Sequence, residues 1–142
     1  MFVTVWLGVL TVSTGHMVYI SAGHGRQIIY RNGGSFELLG DIPGAPVACR
    51  KKFKIRVNEI DLQTGDAIYL YTDGITEATD ENLIMFGQER LLEVLNRNVD
   101  ANMKELDEAV RRAVKDFVGN ADQFDDMTTL GIRYLGSQKV TE

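Results

Sequence analysis

The sequence predicts an α+β fold on a mostly antiparallel sheet, for three reasons. The first half is a series of short period-two stretches broken by Gly-rich turns, with 14 Gly against 2 Pro in the 142 residues. Between residues 88 and 118 the apolar spacing changes to three and four. From residue 127 the chain reverts to a strand-like run. A chain of 142 residues has room for one domain with a real core. Its formal charge of −5 argues against a phosphate-polymer partner, so no nucleic acid is expected.

Residues 2–10 are apolar at odd and even positions alike, the pattern of a central strand covered on both faces. Ser13-Thr14-Gly15 reads as a hairpin turn returning into a strand over 17–22. Strands over 27–31 and 35–38 flank Asn32-Gly33-Gly34, residues that accept positive φ cheaply. Residues 40–46 hold both prolines and read as a loop. Phe53, Ile55 and Val57 alternate with Lys52, Lys54 and Arg56, predicting a half-exposed strand with its basic side in water. A turn over 63–66 leads into a buried strand over 67–71.

Leu91, Leu92 and Leu95 mark one helix. Met103, Leu106, Val110, Ala113, Val114 and Phe117 form the apolar stripe of a second, over 102–118. Asn102 with Glu105 predicts a capping box there, and Gly119 a C-terminal stop. The single cysteine, Cys49, excludes an intrachain disulfide and predicts a reducing, cytoplasmic setting. The apolar stretch 1–10 is about half the roughly 20 residues of a bilayer span and has no signal-peptide flanks, so no membrane insertion is expected.

Two acidic positions stand out. Asp73 follows the strand 67–71, with Gly74 after it, and Asp125-Asp126 precede the final strand. If those strands pair antiparallel, carboxylates 52 positions apart meet at one sheet edge. Carboxylates gathered there repel unless cations sit among them, and hard oxygen donors suit Mg²⁺ or Mn²⁺. The plainer alternative is an Asp-Gly turn and a loop end.

The segment GDAIYLYTDGITEA, residues 65–78, resembles the GD-x-hydrophobic-TDG-x-TEA signature of bacterial PPM-type (PP2C-like) serine/threonine phosphatases of the sporulation and stress-response branch, the SpoIIE/RsbU-like proteins. FDDMT at 124–128, MFVT at 1–4 and AGH at 22–24 resemble further motifs of that branch, in order. The resemblance implies an antiparallel β-sandwich flanked by helices (α-β-β-α), occupying residues 1–136 with a tail at 137–142. It implies Asp73 and Asp125 as metal ligands in a two-metal Mn²⁺ or Mg²⁺ site, with Asp126 nearby. It implies hydrolysis of phosphoserine or phosphothreonine by a metal-activated water, with no catalytic side chain beyond that water. Partners implied are a phosphorylated regulator of the anti-anti-sigma type and a sensor domain in the parent chain, hence signal transduction and sigma-factor regulation.

Other positions have a structural reading alongside. Gly74 lets the backbone pass close to a metal. Thr72 and Thr128 are either ligand-orienting or ordinary strand-end residues. His24, in AGH, is most simply a hydrogen-bonded turn residue, and the resemblance assigns it no catalytic task. AGH is followed by Gly25-Arg26 where the family has a residue and Pro-Pro. Arg26 is a candidate phosphate contact or a solvated loop residue. Glu77 reads as a local cap or an acid beside the ligands.

The family's GD-x-S/G-x-G motif, whose Asp bridges both metals, does not occur; Gly40-Asp41 and Gly65-Asp66 are the only Gly-Asp pairs. The chain is therefore expected to be the C-terminal portion of a PPM domain, truncated on its N-terminal side. Its metal binding and activity are expected to be weak, and its exposed first strand to drive dimerisation. A non-catalytic scaffold that kept the fold is the alternative. An aspartyl-nucleophile phosphohydrolase is disfavoured, because Ile75 stands where that chemistry needs a second Asp.

Overall fold

The computed structural model describes residues 2–40, 44–48, 55–121 and 125–137. Cys49, Asp41, Phe53, Phe124 and the tail beyond 137 lie outside these residues. Among the described residues, two antiparallel sheets are formed. One has three strands in the order β1 (Val5–Thr11), β2 (His16–Ala22), β5 (Val57–Asp61). The other has four, in the order β4 (Phe36–Leu38), β3 (Ile28–Tyr30), β6 (Ala67–Tyr71), β7 (Thr129–Arg133). Three helices follow β6: α1 (Asp73–Thr76), α2 (Gly87–Arg97) and α3 (Met103–Val118).

β6 explains the layering. All five of its residues are buried, and their side chains alternate between two cores. Ile68 and Leu70 pack with Met17, Ile29, Leu62 and Tyr134 between the sheets. Ala67, Tyr69 and Tyr71 pack with Leu91, Leu95, Leu106, Val110 and Val114 of the helices. A strand covered on both faces must be apolar throughout, as residues 67–71 are. The sandwich with helices is thus present, and among the described residues the helices lie against the four-stranded sheet.

The capping box at α3 forms as expected. The Asn102 side chain accepts from the Glu105 N–H at 3.0 Å, and the Glu105 carboxylate accepts from the Asn102 N–H at 3.1 Å. The β1–β2 turn closes at Gly15 (φ +79°), where a Cβ would lie 2.2 Å from the Leu62 carbonyl oxygen.

Two expectations need correction. The first strand is not central: among the described residues β1 is an edge strand, with Leu7 and Val9 56% and 64% exposed. Its inward side chains, Trp6 and Leu10, touch the inter-sheet core, while nothing described covers the outer face. Of the strand predicted over 53–57, residues 53 and 54 lie outside the described residues, Ile55 and Arg56 are not in a strand, and β5 runs over Val57–Asp61. There Asn58 and Ile60 turn inward and Val57 turns outward, 59% exposed, because register with β2 places Val57 opposite Ile20.

Candidate metal-binding edge

β6 and β7 pair antiparallel, and their last matched pair is Tyr71 with Thr129. The residues just beyond, Thr72–Asp73 on one strand and Asp125–Thr128 on the other, therefore emerge at one edge. The junction is stitched by Thr72. Its N–H donates to the Thr128 carbonyl at 3.0 Å, and its hydroxyl donates to the Asp126 carbonyl at 3.0 Å. The same hydroxyl oxygen accepts from the Thr128 N–H at 3.0 Å. Thr72 is also the N-cap of α1, yet makes no side-chain cap bond, its hydroxyl being engaged across the junction. Its hydrogen bonds thus reach backbone groups of the facing segment.

Asp73 opens α1 and is exposed, while Ile75, fully buried, anchors the helix in the helical core. A Cβ at Gly74 would stand 2.5 Å from the Asp126 carbonyl oxygen, so only glycine lets the two segments approach this closely. Asp125 is exposed, and its carboxylate accepts from the Asp126 N–H at 2.7 Å. The N–H of Glu77 bonds to the Asp73 carbonyl at 2.8 Å and closes α1.

His24, half-buried in the loop after β2, shares a pocket with Thr72 and Thr128. Burial holds its imidazole below the ordinary value of 6.5, and the Asp73 carboxylate pulls the other way, so His24 faces the same edge. Arg26 is exposed and lies within electrostatic reach of the Tyr71 hydroxyl. Burial raises the Tyr71 pKa, whereas a hydrogen bond from Gln88 and the Arg26 charge lower it.

Asp73 and Asp125 are hard oxygen donors on one edge, with Gly74 clearing the approach between their segments. This donor chemistry fits part of a Mg²⁺ or Mn²⁺ site. Among the described residues, no group of three or more His, Cys, Asp or Glu converges.

A network that sequence reasoning missed fixes the start of β7. The Asp107 carboxylate on α3 accepts from the Thr129 hydroxyl, from the Tyr69 hydroxyl at 3.4 Å and from Arg111 Nε at 2.8 Å. The Asp107–Arg111 spacing was legible as a helical i,i+4 pair. Tyr69 and Thr129 join it only through the sheet.

The family model for stage II sporulation protein E, SpoIIE, matches residues 1–135. The chain belongs to the SpoIIE family. It is 30% identical over 132 residues to Protein IcfG of Synechocystis sp. (strain ATCC 27184 / PCC 6803 / Kazusa), covering 93% of this chain and 20% of that protein. In structure it resembles the SiaA-PP2C domain of Pseudomonas aeruginosa, with a TM-score of 0.69 and 24% identity over 84% of this chain and 46% of that one. It also resembles the Mn-presoaked phosphatase domain of SpoIIE from Bacillus subtilis. There the TM-score is 0.67 with 15% identity, over 98% of this chain and 59% of the other. Family and fold together identify PP2C-type phosphatase architecture. The SpoIIE-family chain spans a fifth of the curated relative and about half of these solved chains.

Proposed function

We propose that this chain is part of a metal-dependent protein serine/threonine phosphatase of PPM type, with Asp73 and Asp125 holding divalent cation, Mn²⁺ or Mg²⁺. The observation that carries the reading is the antiparallel pairing of β6 with β7, which brings both aspartates to one edge. When bound, such cations supply Lewis-acid activation of water and neutralise charge on the phosphoryl group. The chain's own residues prepare the edge: Thr72 ties the Asp126 and Thr128 backbone to the end of β6, Gly74 admits their close approach, and His24 lies within electrostatic reach of Asp73. The proposed substrate is a phosphorylated regulator of the anti-anti-sigma type, acted on in the cytoplasm under a sensor domain. Among the described residues, no helix is long and apolar enough to cross a membrane.

A scaffold reading is favoured by one observation, that among the described residues no group of three or more metal-ligating side chains gathers. Mn²⁺ binding followed by electron paramagnetic resonance separates the two. The phosphatase reading expects weak binding that Asp73→Asn and Asp125→Asn each remove, with slow phosphate release from a phosphoserine peptide. No Mn²⁺ binding by the unsubstituted chain would leave the scaffold.

A further inference from the structure

We propose that Arg26 is a substrate-binding residue of the β6–β7 edge, its guanidinium holding oxygens of the phosphoryl group brought to Asp73 and Asp125. The inference rests on the phosphatase reading above and adds a cation that the chain itself supplies.

Topology places the residue. β3 and β6 run antiparallel with Ile28 opposite Tyr69, so two steps back from Ile28 match two steps on from Tyr69. Arg26 therefore stands level with Tyr71, the last residue of β6, and Thr72 and Asp73 come next. On the other side of β6, Tyr71 faces Thr129 of β7, which the Asp125–Thr128 segment precedes. One end of the four-stranded sheet thus carries Arg26, Asp73 and Asp125 at three neighbouring strand ends, with Asp73 in the middle. Neighbouring strands lie roughly 4.8 Å apart, within reach of one arginine side chain. The influence of the Arg26 charge on the Tyr71 hydroxyl agrees with that placement.

The loop that carries Arg26 is fixed on both sides of it. The Gly23 N–H donates to the Gly44 carbonyl at 2.7 Å, and the Gly44 N–H to the Ser21 carbonyl at 2.8 Å. The Ser21 hydroxyl donates to the His24 carbonyl at 3.4 Å, and the Gln27 side-chain amide to the Gly25 carbonyl at 2.6 Å. Gln27 is 1% exposed, and its own carbonyl accepts from the Leu39 N–H at 2.8 Å. The residue after Arg26 is therefore anchored in the interior, while Arg26 itself is exposed. Space above the loop is open, since a Cβ at Gly25 would meet nothing within 4 Å. A cation held at its base and free at its tip binds with little ordering cost.

Charge decides the ligand. Arg31, Arg97 and Arg111 are each held by a carboxylate, that of Asp66, Glu93 and Asp107 respectively. Among the described residues Arg26 makes no ion pair, not even with Asp73. Asp73 is thus left for a cation and Arg26 for an anion. A guanidinium meets phosphoryl oxygens two at a time, which a lysine ammonium does not.

The test follows the anisotropy of a fluorescein-labelled peptide with and without Mn²⁺. Its central residue is phosphonomethylalanine, a phosphoserine mimic that is not hydrolysed, or glutamate, or serine. The phosphonate peptide is expected to bind best. Arg26→Ala should weaken it about tenfold and Arg26→Lys should recover only part of that loss. Binding of the glutamate and serine peptides should not change. Arg26 is exposed, and circular dichroism checks that each variant is folded. Equal phosphonate binding by Arg26→Ala and the unsubstituted chain overturns the proposal. So does an equal loss with the glutamate peptide, or no phosphonate preference in either buffer. Electron paramagnetic resonance reads Mn²⁺ binding on the same samples. Mn²⁺ binding without an Arg26 effect sinks the Arg26 assignment alone. Arg26-dependent phosphonate binding by a chain that takes no Mn²⁺ keeps the assignment and sinks the metal-dependent phosphatase reading.

Discussion

Gly74 shows how much of the proposed site depends on the absence of one carbon atom. Its missing Cβ is what allows the Asp126 carbonyl to sit against α1. Gly74→Ala is expected to push the Asp125–Asp126 segment away, at about 1–3 kcal/mol of overpacking. Urea denaturation should show that loss, together with weaker Mn²⁺ resonance signals; unchanged values on both would contradict the close approach. Asp66 is the contrasting case, an acid of the signature that serves the fold. It is 1% exposed and accepts from the Asn32 N–H at 2.8 Å, the Gln63 N–H at 3.0 Å and Arg31 at 2.6 Å. Burial alone would raise its pKa, but these donors outweigh burial and hold it below the ordinary 3.8. A depressed carboxylate contributes stability that is present above its unfolded value and lost as pH falls through the folded one. Acid titration of the melting temperature should therefore drop below about pH 4, and Arg31→Ala should flatten that drop while costing roughly 1–2 kcal/mol near neutrality, the half-exposed guanidinium limiting the effect.

At the scale of elements, local signals and tertiary ones divide cleanly. α3 was legible because its stripe repeats at helical spacing and its capping box lies within four consecutive residues. Asn102→Ala should lower stability by about 1 kcal/mol, read as a reduced thermal midpoint with an unchanged folded spectrum. β6 was legible because burial on both faces demands an unbroken apolar run. β5 was misplaced because alternation continues through residues 53–61 but changes parity near Val57, and only pairing with β2 selects the register. The α1 turn was not anticipated: its four residues are held by Ile75 in the core, a long-range contact with no local signature.

At the scale of the molecule, the face of the three-stranded sheet that no described residue covers matters most. Leu7, Val9 and Val57 are exposed on it, beside Val18 and Ile20 of β2. We expect two copies to associate through β1, since an apolar edge strand is a ready template for pairing. Sedimentation should show a concentration-dependent dimer that Leu7→Lys with Val9→Lys returns to monomer; a single monomeric species at all concentrations would refute it. By itself the sequence determined the α+β class, the order of the strands and of the two longer helices, the motif pair and its carboxylates, because periodicity, caps and turn residues act over a few positions. The tertiary structure decided that β6 and β7 are neighbours, that Thr72 joins them and that, among the described residues, β1 is an edge. Those outcomes depend on which distant segments share a sheet, and pairing over 50 or more residues leaves no mark in local spacing.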